Sequence, residues 1–567
     1  MLNNNKILVV IPARGASKRI PRKNIRLLAD KPLISYAIDL AKSSAYVDDV
    51  VVSTEDSEIG LVADKFGASV INRSKDLAGD RIPLDPVIFD ATVQKEKQAF
   101  DEYDIVITIQ PTSPFLKTET LDKAIEKFED FDVDTVISVV DDRGLNWGYN
   151  ESENRYYPLF NERHNSQYLP KNFRETGGIF ATRRRFITAN SRLGDNIDLI
   201  ELSREESIDI DTYEDWWVAE HYLNRKKIAI VVNAYDKIGT GHIYRCISIA
   251  SKLLGDDILF LVDRNHQWGV DIINSFNYPF ETYDGGDDLF NKLRAYNPHI
   301  VINDVLDTTK EYINRQKNDG YFIINFEDLG PGADDANLVF DALYEHDGGF
   351  GNIFTGYRYY ILKDEFYFQP PKAIYPEVND VLLTFGGTDP NNLTEKVLGA
   401  VLDSGFPGRI DVVLGLGYPN KEELIDKYEI YPNVQIYTNV KNISDFMLKA
   451  DIAFTSAGRT MYEICSVGTP CICICQNGRE QTHSFGSSKN GFINMGLGET
   501  LSSEDIRNQF EIVWEDYELR KNMSNLMKNI DLKHGFENTW AIVEEAYWDY
   551  EFNQKVYKWI YSIKNHF

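Results

Sequence analysis

Hydrophobic residues fall into short runs rich in Val and Ile, separated by amphipathic stretches of helical length. In the first part of the chain the runs are Ile7–Ile11, Val50–Ser53, Ile105–Ile109, Val136–Val140 and Gly178–Ala181. Between the first two runs, residues 32–45 repeat apolar side chains with the spacing of one helix face. Strand, helix and strand in alternation predict a parallel α/β sheet. Uninterrupted apolar runs fit strands that are covered on both faces.

The alternation starts again near residue 226. A helix-like segment at 214–223 leads into the basic stretch 224–227, a new apolar run at 228–232 and a glycine-containing turn at 236–241. A Pro-rich stretch at 369–378 predicts a linker, and a third set of strand-like runs follows it. We therefore predict three α/β bodies, residues 1–225, 226–370 and 371–567. The aromatic, amphipathic end of the chain is expected to pack on a lobe or to contact another subunit.

Composition narrows the class of ligand. The chain has 567 residues, 43% of them hydrophobic, with 60 Lys and Arg against 88 Asp and Glu, a formal charge of −28. This balance disfavours a protein that wraps nucleic acid, which needs basic surface. An anionic ligand would therefore require a local cluster of positive charge.

Cysteines and termini give little sign of an extracellular or membrane protein. The five cysteines all follow residue 245 and form no disulfide pattern. Three of them alternate in the run 471–475, where a buried strand explains them better than a metal site. The first residues lack the long apolar region of a secretory signal, and no run of about 18 apolar residues predicts a membrane span. We expect a cytoplasmic protein.

A basic loop follows the first predicted strand. Five cations lie within ten residues around a single glycine, Gly15, and they are Arg14, Lys18, Arg19, Arg22 and Lys23. Backbone N–H groups with flanking cations can hold a triphosphate. A solvated basic loop is the alternative. The position at the carboxyl end of a strand, where α/β proteins bind ligands, favours the phosphate site.

Two further segments belong with this loop. Gln110 directly follows the strand-like run Ile105–Ile109. Asp209 and Asp211 alternate with Ile210, so their side chains share a face if the segment is extended. Two carboxylates near a cationic loop indicate a Mg²⁺ site shared with phosphates. A loop or a helix cap is the alternative for an isolated Asp-x-Asp pair.

These segments occur in the order seen in acylneuraminate cytidylyltransferases, the CMP-sialic acid synthetase family that includes the pseudaminic and legionaminic acid enzymes. The motifs resemble that family at residues 11–24, 30–38, 51–56, 72–80, 110–114 and 207–211, and the similarity extends over about residues 5–223. The resemblance implies transfer of CMP from CTP to a nine-carbon sugar acid, with release of pyrophosphate. The family's enzymes are commonly dimers, which makes a homodimer possible here.

The resemblance also implies roles for individual residues. Those predicted to hold the CTP phosphates are Arg14, Gly15, Ser17 and Lys18, with Arg14 and Lys18 as catalytic cations. Asn24 and Arg73 would contact the nucleoside, and Lys23, Gln110 and Gln167 would complete the substrate site. Asp209 and Asp211 would carry Mg²⁺. Three segments depart from the family pattern: Ala16 replaces a glycine, residues 81–83 replace small hydroxyl residues, and residues 166–170 are closer to the pseudaminic branch.

The later part of the chain carries a second set of candidate residues. His242 and Arg245 follow the predicted glycine turn, and a histidine there suits acid–base chemistry, although an isolated histidine is usually structural. Glycine turns that follow strands predict contacts with a nucleotide diphosphate, and a nearby carboxylate could take ribose hydroxyls. The residues predicted to bind this ligand are Gly241, Arg245, Gly386, Gly387, Ser456, Gly458, Thr460, Glu463 and Gln481.

This second set resembles the two-lobed GT-B fold of UDP-sugar enzymes, and in particular the UDP-sugar hydrolase of pseudaminic acid synthesis. The matching residues are 239–246, 327–329, 385–392 and 456–463, within a resemblance over about 227–530. It implies that His242 activates water or protonates a leaving group. A tyrosine of that family is absent, since Asn303, Asp304 and Val305 stand at its place. A glycosyltransferase or a non-catalytic binding module therefore remains an alternative to a hydrolase.

Overall fold

The computed structural model describes residues 5–79, 81–233, 241–344, 351–370, 372–438 and 440–566, without the side chains of Ser166 and 557–566. The chain divides into two compact units, here called unit 1 (up to Asn224) and unit 2 (from Arg225). Among the described residues, no helix combines the length and apolar character needed to cross a membrane.

Unit 1 alternates strands and helices. Its strands are β1 (Ile7–Pro12), β2 (Leu27–Leu28), β3 (Lys31–Pro32), β4 (Asp49–Thr54), β5 (Ser69–Asn72), β6 (Ile105–Ile109), β7 (Thr135–Asp141), β8 (Trp147–Asn150), β9 (Arg155–Pro158), β10 (Phe173–Arg183) and β11 (Ile197–Glu201). Its helices are α1 (Leu33–Ser43), α2 (Ser57–Lys65), α3 (Leu84–Ala99), α4 (Thr118–Glu126) and α5 (Tyr213–Asn224).

One seven-stranded sheet organises unit 1, in the order β11-β7-β10-β6-β1-β4-β5. All neighbours pair in parallel except those of β10, which is antiparallel to both β6 and β7. The expectation of a wholly parallel sheet is therefore wrong at this strand. The reason is that β10 follows the hairpin of β8 and β9, not a crossover helix, and only a crossover returns the chain in the parallel direction.

Unit 2 begins with a lobe, called the N-lobe, built on a parallel seven-stranded sheet in the order β14-β13-β12-β15-β16-β17-β18. Its strands are β12 (Lys227–Val232), β13 (Asp257–Asp263), β14 (Phe280–Tyr283), β15 (Ile300–Asp304), β16 (Phe322–Phe326), β17 (Leu338–Asp341) and β18 (Ile353–Thr355). Its helices are α6 (Gly241–Lys252), α7 (Gln267–Ser275), α8 (Gly285–Tyr296) and α9 (Lys310–Asn318).

A second lobe, the C-lobe, has a parallel six-stranded sheet in the order β21-β20-β19-β22-β23-β24. Its strands are β19 (Asp380–Thr384), β20 (Arg409–Leu414), β21 (Val434–Thr438), β22 (Ile452–Thr455), β23 (Cys471–Cys475) and β24 (Phe492–Leu497). Its helices are α10 (Leu393–Asp403), α11 (Lys421–Tyr428), α12 (Ile443–Lys449), α13 (Thr460–Val467), α14 (Ser503–Glu515) and α15 (Tyr517–Lys528), and α16 (Gly535–His566) follows them.

The strand order fixes where ligands can bind. In each lobe the first strand lies between the second and the fourth, which is the doubly wound order with its crevice between strands one and four. Strands β12 and β15 form that position in the N-lobe, and β19 and β22 form it in the C-lobe. The predicted fold class is confirmed: unit 1 is an α/β domain, and unit 2 has the two Rossmann-type lobes of the GT-B architecture.

Packing explains two segments that the sequence left undecided. The thiols of Cys471, Cys473 and Cys475 are free and buried in the C-lobe core, as expected for a covered strand. Helix α16 packs Phe536, Val543 and Tyr547 into the N-lobe core, so the end of the chain belongs to the earlier lobe of unit 2.

Candidate active sites

The basic loop (residues 14–24) lies against the end of β4. The N–H of Ala13 donates to Ser53 O at 3.0 Å, and the N–H of Gly15 donates to Glu55 Oε1 at 2.8 Å. A Cβ on Gly15 would stand 2.5 Å from Asp56 Oδ2, so only glycine allows this approach. The amide expected to face a phosphate is therefore held by a carboxylate in this structure.

Cations of the loop reach the predicted acidic segment. Lys23 Nζ donates to Ile210 O at 2.7 Å and pairs with Asp211 Oδ1 at 3.0 Å, while Arg19 Nη1 pairs with Asp211 Oδ2 at 3.1 Å. Asn24 Nδ2 donates to Arg14 O at 2.9 Å from a buried position. Folding thus brings Arg19 and Lys23 of the basic loop to Asp211, although nearly 200 residues separate them in sequence.

Residues 207–211 alternate polar and apolar side chains but do not form a strand. Ile210 is buried and its N–H donates to Thr112 O at 2.8 Å, which turns Asp209 and Asp211 outward. Partial burial raises the pKa of Asp209, helped by the charge of Asp211, while a hydrogen bond with Thr112 opposes the shift.

The donor set suits a divalent cation held jointly with substrate. Within the described ranges, no group of three or more His, Cys, Asp or Glu residues is arranged to hold a metal ion. Two carboxylates that repel each other nevertheless match the way Mg²⁺ is held by one or two carboxylates plus phosphate oxygens. The residues fit this ion only with a bound nucleotide.

The remaining predicted residues of unit 1 take varied positions. Arg73 is buried, donates to Ser53 O at 2.6 Å and lies 3.9 Å from Glu55 Oε2, and burial lowers its pKa. Gln110 packs on Gly177, whose φ of 72° falls at an irregularity of β10. Lys18 is exposed, Ser17 is half-buried, and Gln167 is exposed with its carbonyl accepting from Arg143 at 3.4 Å.

In unit 2, His242 and Asp304 form a buried pair at the crevice of the N-lobe. His242 lies in the first turn of α6, after β12, and its Nδ1 contacts Asp304 Oδ1 at the end of β15. Arg245 donates to both oxygens of Asp304, at 2.7 and 2.6 Å, and to Glu327 Oε1 at 2.8 Å. The Arg245 guanidinium and His242 hold the pKa of Asp304 below its usual range despite complete burial.

His242 is the more exposed member of its pair with Asp304. Its side chain is 12% exposed, whereas that of Asp304 is fully buried. An imidazole that donates from Nδ1 to a carboxylate presents Nε2 as the proton acceptor. Nearby, burial and the charge of Glu327 raise the pKa of Asp341 to about 8. The predicted turn before His242 lies, apart from Gly241, outside the described residues.

The C-lobe brings its two predicted turns together. Gly386 has a φ of 83°, and a Cβ there would lie 4.0 Å from Ser456 Oγ. A Cβ on Gly241 would stand 2.9 Å from Arg459 Cδ, so the start of α6 meets the C-lobe glycine turn (residues 456–460). The candidate acid–base group and the candidate diphosphate turn are therefore neighbours across the crevice.

Other predicted ligand residues are engaged by the protein itself. Glu463 is buried and its Oε1 pairs with Lys363 Nζ at 2.8 Å. Gly387 O accepts from Gly417 N at 2.9 Å, Thr460 begins α13 and Gln481 is exposed.

In the sequence analysis, Asp304 is named only among the residues that depart from the hydrolase pattern. No roles are given there to Glu55, Thr112 or Glu480. A carboxylate at the end of the strand run 300–304 was the available signal for Asp304. Glu55 and Thr112 lie within the motif segments 51–56 and 110–114, which were the available signal for them. Nothing local in the sequence marks Glu480, because its partner Ala457 lies on another segment.

The fold and loop of unit 1 define a nucleotidyltransferase. A model of the cytidylyltransferase family matches residues 8–209, and the chain belongs to that family through this unit. The CMP-N,N'-diacetyllegionaminic acid synthase of Legionella pneumophila is 37% identical over 234 residues, which cover 40% of this chain and all of that protein. An uncharacterised protein of Methanocaldococcus jannaschii is 27% identical over 44% of this chain, which spans 56% of its length.

Unit 2 has counterparts among solved structures. The MurG structure of Acinetobacter baumannii covers 56% of this chain and 99% of its own, with 14% identity and a TM-score of 0.43.

Proposed function

We propose that unit 1 transfers CMP from CTP to a nine-carbon α-keto sugar acid of the sialic, legionaminic or pseudaminic type. The anomeric hydroxyl of the acid attacks the α-phosphorus, and pyrophosphate leaves. The observation that carries this proposal is the meeting of the basic loop with the Asp209–Asp211 segment, made through Lys23 and Arg19. Membership of the cytidylyltransferase family supports the use of CTP.

The residues of this site act by position and charge. Arg14 and Lys18 neutralise the triphosphate, and Lys18 meets charge that develops as pyrophosphate departs. Asn24 fixes the loop through Arg14 O at 2.9 Å, so it orients the phosphate cations. Arg73 holds the end of β4 through Ser53 and so sets the floor of the nucleoside pocket. Gln110 at the end of β6 faces the sugar acid.

Asp209 and Asp211 would hold the Mg²⁺ ion. When bound, this ion supplies charge neutralisation for the phosphate oxygens. Lys23 and Arg19, which pair with Asp211 here, are then free to turn toward the anionic substrate, because the ion replaces them as the partner of that carboxylate.

A pyrophosphate-release assay tests this function. The full chain, with CTP and Mg²⁺, is offered N-acetylneuraminic, N,N'-diacetyllegionaminic and pseudaminic acids in turn. We expect turnover with at least one of them and none with an eight-carbon 3-deoxy sugar acid. Release of pyrophosphate with none of the nine-carbon acids would refute the proposed substrate class.

For unit 2 we propose hydrolysis of a UDP-linked acetamido sugar. The observation favouring a catalytic unit is the His242–Asp304 pair at the switch point of the N-lobe, opposite the C-lobe glycine turn. His242 Nε2 would take a proton from water as it attacks the sugar carbon, the C–O bond to the diphosphate breaks, and UDP leaves. The same base would serve a glycosyltransferase if an acceptor hydroxyl replaced water.

Incubation of the full chain with UDP-activated acetamido sugars separates the candidates. Free sugar plus UDP without any acceptor identifies a hydrolase. Consumption that requires an added acceptor identifies a glycosyltransferase, and binding without turnover identifies a binding module. His242→Gln serves as the matched inactive variant for the first two outcomes.

A further inference from the structure

Two donors of the C-lobe glycine turn, Ala457 N and the Ser456 hydroxyl, are already occupied by an anion of the chain itself. Glu480 Oε2 accepts from Ala457 N at 3.2 Å and from Gln476 N at 2.7 Å, and the hydroxyl of Ser456 also bonds this carboxylate. A Cβ on Gly458 would lie 3.4 Å from Glu480 Oε1. The carboxylate therefore lies over the turn that the proposed function gives to a nucleotide phosphate.

The neighbouring residue ties the same segment to the N-lobe. Arg479 Nε donates to Tyr344 Oη at 2.6 Å, and Arg479 Nη2 lies 3.4 Å from Asp307 Oδ1. Tyr344 follows β17 and Asp307 follows β15, so both lie at the carboxyl ends of the N-lobe strands, as Asp304 does. Within the C-lobe, His483 Nδ1 lies 2.7 Å from Ala457 O and holds the segment to the glycine turn.

Polar atoms around this tether are left without partners. Thr455 Oγ1, Gln476 Oε1 and His483 Nε2 are buried with no hydrogen-bond partner, and each belongs to a residue that is at least nine-tenths buried. Unpaired buried groups are costly, and such a concentration is typical of a site completed by a ligand.

We propose that Glu480 is a displaceable occupant of the phosphate position in the C-lobe, which a nucleoside diphosphate must replace to bind, and that its displacement releases Arg479 from Tyr344 and Asp307. This inference rests on the proposed function of unit 2. A phosphate and a carboxylate are both anions that need the same donors, so they cannot share the turn. Moving residue 480 also moves residue 479, because one peptide bond joins them.

Binding of UDP and of uridine to the full chain tests the proposal, measured by calorimetry with unit 1 saturated by CTP. In Glu480→Gln the charge is lost while one carbonyl oxygen can still accept from the turn. We expect UDP to bind at least about tenfold more tightly than to the wild type, with no change for uridine, which lacks phosphate. Glu518→Gln, at a site 76% exposed on α15, is the matched control and leaves both affinities unchanged.

A second variant guards against misfolding of the first. Arg479→Ala leaves the glycine turn intact and removes the contacts to the N-lobe, so it should tighten UDP binding by a smaller factor. Equal or weaker UDP binding by both variants, with wild-type thermal unfolding, would overturn the inference alone. If neither the wild type nor any variant binds UDP while CTP still binds, the glycine turn does not accept a diphosphate. That result would refute the proposed function of unit 2 as well as this inference.

Discussion

The two units of this chain place charge in opposite ways around the same topological position. In unit 1 charged side chains of the site stay near water: Arg19 and Asp211 are 68% and 52% exposed, although Lys23, which also pairs with Asp211, is 12% exposed. In unit 2 the corresponding position carries Arg245 and Asp304, which are 2% and 0% exposed. Exposed cations can follow a triphosphate as it enters and leaves. A buried ion pair cannot move, and it fixes one imidazole in one orientation.

The difference teaches how each site responds to loss of a charge. Solvent screens an exposed charge, so its removal weakens binding without harming the fold. Removing one member of a buried pair leaves its partner without compensation. We therefore expect unit 2 to be much more sensitive than unit 1 to single changes of charge.

The largest effect is expected for Asp304→Asn. The amide is neutral and has one acceptor oxygen, so it cannot accept hydrogen bonds from both Arg245 and His242. His242 therefore loses the group that sets its tautomer. Turnover of UDP-sugar should fall on the order of 10³-fold, while pyrophosphate release by unit 1 stays at the wild-type level. Asp334→Asn, at a site 57% exposed, is the surface control.

Unchanged UDP-sugar turnover in Asp304→Asn would remove the buried pair from the mechanism. Thermal unfolding of both variants distinguishes lost chemistry from lost structure, because Arg245 retains Glu327 as a partner in Asp304→Asn.

A smaller effect is expected for Lys18→Ala in unit 1. If Lys18 stabilises charge on the departing pyrophosphate, kcat for the cytidylyl transfer should fall about 10²-fold with little change in stability. Lys65→Ala, an exposed change on α2, is the control. A kcat equal to that of the wild type, measured as pyrophosphate release at saturating CTP, would show that Lys18 has no catalytic role.

The smallest effect concerns Asp209 and pH. Burial raises the pKa of this carboxyl, and only the anion holds a cation. On acidification Asp209 therefore takes up its proton at a higher pH than a fully exposed aspartate, and kcat/KM for CTP should decline from that higher pH. In Asp209→Asn, the decline of kcat/KM at low pH that is due to this carboxyl should disappear. The Mg²⁺ concentration needed for half-maximal activity should rise at least about tenfold.

Asp195→Asn provides the comparison, since Asp195 is exposed in the same unit. An acid limb and a Mg²⁺ requirement that are identical in Asp209→Asn and the wild type would exclude Asp209 from the cation site. That result would sharpen the contrast between the units, because Asp209, whose pKa is raised by burial, would no longer count among the functional charges of unit 1.

The sequence by itself determined the α/β class and the strands that carry the chemistry. Apolar runs such as 105–109 and 300–304 form buried strands because their β-branched residues favour extended backbone and both faces of the sheet are covered. The position of Gln110 and His242 after such strands follows from chain order alone. The motifs of unit 1 were dense and ordered enough along the chain to indicate a family.

Only the tertiary structure decided which charges meet. Strand β10 runs antiparallel because a hairpin precedes it, and no local pattern at 173–183 encodes that direction. Glu55 on Gly15, Asp304 on His242 and Glu480 on Ala457 join segments that are 40, 62 and 23 residues apart. Such pairs depend on sheet order, and electrostatic energy depends on distance and burial, neither of which one segment carries.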